Sequence, residues 1–452
     1  MLRRYSAILV VLLQICLSYS AYVKPKRVCV IGAGIAGLTS ARYLKEAGIK
    51  FTVLETTQYV GGTWRYDPRI GTDENGLPLH TSMYKYLRTN LPKPTMELKD
   101  FPLPEHLPSY PSRRDFYRYL QDYAKHFDIL KYIQFLHNVV QVRRVGDVWK
   151  VKHEHVLTNE TFEEDYDYVI VGNGHFSKPN MPNFPGEDKF KGTIIHSHDY
   201  REPEPFRNRR VLVVGAGPSG MDIGLEVADV TSRLIHSHHS RINFTTPFPP
   251  QYHKKPDIQK FNETGVIFKD GSYEEIDDVI YCTGFHYHCP FLDETSGLNV
   301  HPKSVVPLYR YMVNINQPTM FMMGLFIRAC LVVALDAQAR YATALIAGNF
   351  TLPPRDEMML EWQKRMDVIR SKGKPQSFIH VLGEKEDQYY GELSEESGID
   401  RVPPVMFKIR TLDTEAKIEN LYTYRNYEYT VIDDHTFTRK VEDPARRKGL
   451  NI

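Results

Sequence analysis

One glycine turn occurs twice in this chain. "VIGAGIAGLT" runs from Val30 to Thr39, and "VVGAGPSGMD" from Val213 to Asp222. Each follows a short apolar run, "RVCVI" or "RRVLVV", and each opens a helix-like segment. A G-x-G-x-x-G between strand and helix turns the chain tightly and aims backbone N–H groups at a phosphate. Strand–turn–helix–strand units pack as parallel sheets covered by helices. Two of them predict an α/β protein with two dinucleotide-binding, Rossmann-like domains.

In the first unit, Gly32, Gly34 and Gly37 form the turn, with Ala33, Ile35 and Ala36 between and beside them. "LTSARYLKEAG" reads as a helix closed by Gly48, and "FTVLE" as the next strand, ending in Glu55. An acid at that place accepts from ribose hydroxyls, so the first unit is expected to hold FAD. In the second unit Gly215, Gly217 and Gly220 form the turn, and Pro218 and Ser219 start the helix. Its next strand, "RLIHSHHSR", ends in Ser237, Ser240 and Arg241 with no acid. An acid would repel a 2′-phosphate, whereas Ser240 and Arg241 would bind one, so NADPH is expected there. A resident flavin and a hydride donor must meet ring to ring, which is why one chain carries two such turns.

At 452 residues the chain is too long for a single core. The expected order is an FAD-binding part over 24–200, an inserted NADP-binding domain over 201–285, and a return to the FAD domain over 286–452. "REPEPFRNRR" (201–210) is the expected crossing. The helical run "PPRDEMMLEWQKRMDVIRSKG" in the last hundred residues carries no recognised motif. A net charge of +2 without a dominant basic run argues against nucleic acid as a partner. Residues 1–20 have a basic start, an apolar run of eleven and small residues before a cleavage point, the layout of a secretory signal peptide. The run is too short to span a bilayer, which takes roughly 20 residues. The mature chain is therefore expected to be secreted, with no membrane span. Secretion gives meaning to four N-x-S/T triplets, at Asn159, Asn243, Asn262 and Asn349. Asn159 is expected at a hairpin tip. Nothing sets the oligomeric state, and a homo-oligomer is compatible with it. Cys29 and Cys282 read as inert core residues, while spacing cannot decide whether Cys289 and Cys330 pair. The clusters "HSHH" and "HYH" alternate faces on strands, so no metal site is expected.

Further fingerprints follow. Gly61-Gly62-Thr63-Trp64-Arg65 lies just past Glu55, and "DYDYVIVGNGH" and "DDVIYCTGF" are strands ending in small-residue turns. Phe190, Gly192 and His196 form F-x-G-x-x-x-H, followed by Tyr200. From about Lys26 to Arg340 the chain resembles the flavin-containing monooxygenases. In that family "MYKYLRTNLPKPTM" matches the tract before the active site, with Thr89 and the active-site Asn90, and "DAQARY" matches the tract holding Gln338. The resemblance implies that Gly62, Thr63, Trp64, Thr89, Asn90 and Gln338 join the two turns in binding cofactor. It also implies NADPH- and O₂-dependent oxygenation through a flavin C4a-hydroperoxide. The implied reaction is N-oxygenation of a tertiary amine alkaloid of the pyrrolizidine class, as a detoxification. Asn90 suits such chemistry, because its amide donates and accepts without titrating; as a residue type it also suits a plain turn. Three other readings weigh less. A disulfide reductase needs a close cysteine pair, and none exists. A secreted binder has no use for a second nucleotide turn. Ketone oxygenation is disfavoured by Tyr200, where that sister family has Trp. S- or N-oxygenation of other xenobiotics stays open.

Overall fold

The computed structural model of the chain describes residues 25–240 and 242–443. The signal-peptide expectation over 1–20 and Arg241 lie outside the described residues.

Seven short apolar strands form the first sheet. β1 (Arg27–Ile31) is central, with β2 (Lys50–Glu55) and β3 (Ile133–Phe135) parallel on one side and β4 (Tyr168–Val171) parallel on the other. These strands bury both faces, which is why they read as continuous apolar runs rather than alternating ones. The second sheet is built the same way from five parallel strands. In spatial order they are Tyr252–Lys255, Arg233–Ser237, Arg210–Val214, Asp278–Tyr281 and Thr193–His196. In chain order these are β5 (Thr193–His196), β6 (Arg210–Val214), β7 (Arg233–Ser237), β8 (Tyr252–Lys255) and β9 (Asp278–Tyr281). The first sheet is completed after the insertion by β10 (Leu308–Tyr309), β11 (Val313–Asn314) and β12 (Met320–Met322), of which β12 pairs parallel with β4.

Helix α1 (Ile35–Glu46) covers β1 and β2 and packs against α4 (Leu331–Ala347), where Tyr43 donates its hydroxyl to Asp336 at 2.7 Å. Between them in sequence lie α2 (Arg113–His126), which covers the Gly61–Trp64 loop, and α3 (Pro218–Ala228), which opens at the second glycine turn. The last hundred residues form α5 (Arg355–Ser371), α6 (Glu386–Ser397), α7 (Val405–Glu419) and a hairpin over 427–441. The helix read from "PPRDEMMLEWQKRMDVIRSKG" is thus α5.

The crossing between sheets differs from the expectation. β5 pairs in register with β9, Thr193 against Asp278 and His196 against Tyr281. The chain has therefore already entered the second sheet before residue 201. A four-residue edge strand carries too little periodicity to mark its sheet. The two connections run side by side, with Lys178–Pro179 pairing antiparallel to Phe285–His286. Cys289 and Cys330 are free and buried, as are Cys29 and Cys282, so the open question of a disulfide is answered in the negative. Asn159 sits at the tip between two paired strands with φ of 56° and is exposed.

Candidate active site

The two turns have the same backbone. Gly32 and Gly215 have φ of 94° and 107°, and a Cβ on Gly37 or Gly220 would lie 1.8 or 1.9 Å from the carbonyl oxygen of Gly32 or Gly215. Only glycine permits that closeness of helix to strand. Above the turns there is room. Among the described residues, a Cβ on Gly34 meets only Gly62, at 3.7 Å, and one on Gly217 meets nothing within 4 Å. Neither α1 nor α3 has a side-chain cap or an acid in its first turn. Each therefore presents uncapped N–H donors and a partial positive charge, which is what a pyrophosphate requires.

The surroundings differ. Ala33, Ile35 and Ala36 are buried in the first turn, whereas Gly217 and Pro218 are exposed in the second and Ser219 is half-buried. The Gly62–Trp64 turn covers the first: Gly61 N–H donates to Ala33 O at 2.9 Å, and Trp64 packs on Phe116 with ring centroids 4.3 Å apart. Thr63 Oγ1 is buried there with no hydrogen-bond partner among the described residues, a polar atom placed for a ligand. Glu55 is 5% exposed and accepts from Ala33 N–H at 2.7 Å and from Thr57 N–H and Oγ1 at 2.9 and 2.8 Å. Its carboxylate so braces the turn, and lone pairs remain for ribose hydroxyls.

At the second turn the bracing group is one that sequence reasoning left in a cluster. His236 is buried under the turn, bonded through Nε2 to Gly215 O at 2.8 Å and through Nδ1 to Tyr252 Oη at 2.7 Å. Since the carbonyl can only accept, Nε2 carries the proton. Burial pushes the ring's pKa down to about 4, so it stays neutral. Ser237, at the acid-free end of β7, is 1% exposed and donates to Pro256 O at 2.7 Å. It is not available. Ser240 is half-buried, and its hydroxyl accepts from Ile242 N–H at 3.2 Å, so it can still donate outward. No cluster of three or more His, Cys, Asp or Glu able to hold a metal is present among the described residues.

The tract to Asn90 runs from one turn to the other. Thr81 Oγ1 donates to Thr63 O at 2.7 Å, beside the first turn. Tyr84 donates its hydroxyl to Asp222 on α3, beside the second. Thr89 is buried, held by its N–H to Pro111 O at 2.9 Å and by its hydroxyl to Leu91 O at 2.9 Å. Asn90 follows, exposed, and its side-chain amide bonds to no described residue. A neutral, exposed amide thus ends a tract whose earlier residues touch both turns. Gln338 differs from the expectation of direct cofactor contact. It is fully buried, accepting from Gly324 N–H at 2.9 Å and donating to Tyr389 at 3.2 Å. It fixes the chain leaving β12 rather than facing a cavity. His196 is buried with Nδ1 accepting from His198 N–H at 3.1 Å, and burial beside His198 lowers its pKa to about 4.

Fold and site define a flavoprotein of the two-dinucleotide plan, with one glycine turn covered and the other open. The family model described as flavin-binding monooxygenase-like matches residues 25–242 and 251–415, and the chain belongs to that family. It is a flavin-dependent monooxygenase. The chain is 39% identical to senecionine N-oxygenase of Tyria jacobaeae over 97% of both chains. It is 33% identical to trimethylamine monooxygenase of Roseovarius sp. (strain 217), over 74% of this chain and 77% of that one. Its fold matches the structure of S-allyl-L-cysteine S-oxygenase from Allium sativum with a TM-score of 0.83 and 26% identity, covering 94% of this chain and 97% of that one.

Proposed function

We propose that the chain N-oxygenates tertiary amine alkaloids of the pyrrolizidine class, as an extracellular detoxifying enzyme. The reading of the amine rests on the 39% identity to senecionine N-oxygenase across both chains. In the overall reaction the amine lone pair forms an N–O bond with one atom of O₂. NADPH and a proton supply the electrons and hydrogens that release the other atom as water. The bound flavin supplies hydride acceptance from NADPH and activation of O₂. The residues of the chain do the rest. Gly34 and the α1 N-terminus seat the flavin's pyrophosphate, Glu55 its ribose, and Thr63 a further polar group. Gly217, Pro218, Ser219 and Gly220 seat the pyrophosphate of NADPH, and Ser240 and Arg241 its 2′-phosphate. Asn90, exposed on the tract, would donate to a developing negative charge on the bound group without itself titrating. No nucleophile or strong acid is required of the protein.

The basic-then-apolar opening of residues 1–20 supports secretion. Asn159, Asn243 and Asn349 are exposed and suit glycan attachment. Asn262 suits it less, because its side-chain oxygen accepts from Thr264 and Gly265 N–H at 3.0 and 2.7 Å.

The test is NADPH consumption by the purified chain with H₂O₂ recorded in parallel, with a pyrrolizidine alkaloid free base or with an alkyl thioether. N-oxide formed in step with NADPH, without added H₂O₂, is the expected result. The likeness to an S-oxygenase makes sulfoxide the alternative outcome, and sulfoxide with no N-oxide would overturn the amine reading.

A further inference from the structure

The last hundred residues carry no motif, yet they meet both nucleotide units at one place. Arg425, with a side chain 15% exposed, donates through Nη1 to Asp222 Oδ1 at 2.8 Å and through Nε to Thr89 O at 3.1 Å. Asp222 lies in the first half of α3, just past the second glycine turn, and its other oxygen accepts from Tyr84. Thr89 immediately precedes Asn90. One guanidinium therefore bonds the helix of the NADPH unit and the backbone that presents the active-site amide. Lys417 adds a second tie: its ammonium donates to the carbonyl of Asn90 itself and to Asp413 at 2.5 Å.

The same segment also grips the loop that follows β7. Thr245 N–H donates to Ile418 O at 3.0 Å, Thr245 Oγ1 to Glu419 O at 2.8 Å, and Leu421 N–H to Thr246 Oγ1 at 3.0 Å. Leu421 is buried against Met221 and Leu225 of α3 and Phe244 and Phe248 of that loop. Apolar packing on one side and charged hydrogen bonds on the other make residues 417–425 a strap over the junction. A planar guanidinium suits this task, because its fork reaches two partners at fixed angles, which an ammonium cannot do.

We propose that Arg425 is a positioning residue for hydride delivery. It sets the NADPH-bearing helix in register with the Asn90 tract, so that the nicotinamide is held against the flavin while oxygen is being transferred. The inference rests on the two-nucleotide reading and not on the choice of amine. Its readouts need no organic substrate, so its failure and that of the alkaloid reading are distinguishable.

The test is Arg425→Gln, with Arg425→Lys and Asp222→Asn beside it. In Arg425→Gln the NADP⁺ dissociation constant, measured by calorimetry, is expected to rise about tenfold, the loss of one charged hydrogen bond. The rate at which NADPH is oxidised to H₂O₂ without organic substrate rises, hydrogen exchange at residues 88–90 accelerates, and flavin content and melting temperature stay near those of the parent. Arg425→Lys recovers part of the affinity. Arg425→Gln combined with Asp222→Asn is no worse than the more severe single change. Unchanged NADP⁺ affinity and an unchanged rate of H₂O₂ formation without organic substrate in a flavin-replete Arg425→Gln protein would overturn the proposal. So would loss of flavin together with affinity, since Arg425 would then be a general brace of the fold.

Discussion

The chain folds one turn twice and gives the two copies opposite surroundings. The glycine backbone is alike in both, with the same left-handed opening residue and the same approach of helix to strand. Around the first, the Gly62–Trp64 turn, α2 and a buried glutamate close over the site. Around the second, Gly217 and Pro218 face solvent, and the brace beneath is a neutral histidine. Phosphate recognition is a property of the turn, whereas residence time is a property of what covers it. A covered site fits a flavin that stays, and an open one fits a dinucleotide that must leave as NADP⁺ after each cycle.

The most severe way to break this likeness is to fill the contact that both copies share. Gly37→Ala and Gly220→Ala each force a methyl to within 2 Å of a backbone carbonyl oxygen. Each is expected to destabilise the chain by about 3 kcal/mol or more, read by thermal unfolding. If either is tolerated, the two turns are not built alike.

Asn90 belongs to neither copy and should respond differently from either. Asn90→Ala removes one neutral donor and is expected to cost about 3 kcal/mol in the coupled oxygenation, near a hundredfold. NADP⁺ affinity should hold. Unchanged turnover and coupling in both Asn90→Ala and Asn90→Asp would remove it from the mechanism.

The braces can be separated by pH. His236 has its pKa at about 4 in the fold, against an ordinary value of 6.5, because of burial. Its neutral form contributes stability that is complete above about pH 6.5 and is lost as pH falls towards 4, because the unfolded chain binds the proton first. The loss attributable to this ring is about 3 kcal/mol. His236→Gln keeps a donor for Gly215 O without titrating there, and its acid destabilisation should be smaller than the parent's by that amount. Equal pH profiles would show that the ring is not held neutral. The smallest effect is expected at the first brace. Glu55→Gln keeps the shape but loses the charge, costing about 1–2 kcal/mol of stability with a matching drop in flavin affinity.

Much of this comparison was legible in sequence, because the turn needs glycine at fixed spacing and a buried parallel strand needs an apolar run. Glu55 at the end of β2 and the acid-free end of β7 were readable for the same reason. Asn90 and Thr63 were found through family motifs and then met as an amide and a hydroxyl without hydrogen-bond partners among the described residues. What stayed hidden depends on contacts between distant segments. No local signal says that Ser237 would donate to Pro256, that Gln338 would hold Gly324, or that β5 would join the second sheet. His236 looked like one of a row of histidines, and only the partners of its two nitrogens reveal a brace. Arg425 has no motif around it at all. Its partners, Thr89 and Asp222, lie 336 and 203 residues upstream.

The covered turn is expected to keep flavin and the open turn to exchange NADP(H). The most direct test compares Gly34→Ala with Gly217→Ala, because a Cβ at either site meets no atom of the described residues closer than Gly62 Cα at 3.7 Å. The fold tolerates both, and only a pyrophosphate lying on the turn would feel the methyl. The measurement is flavin per chain after purification, with the NADP⁺ dissociation constant of whatever retains flavin. The account predicts that Gly34→Ala is isolated depleted of flavin. Gly217→Ala should keep its full complement and bind NADP⁺ at least about tenfold more weakly. Full flavin in Gly34→Ala, or flavin loss in Gly217→Ala with NADP⁺ binding intact, would contradict it.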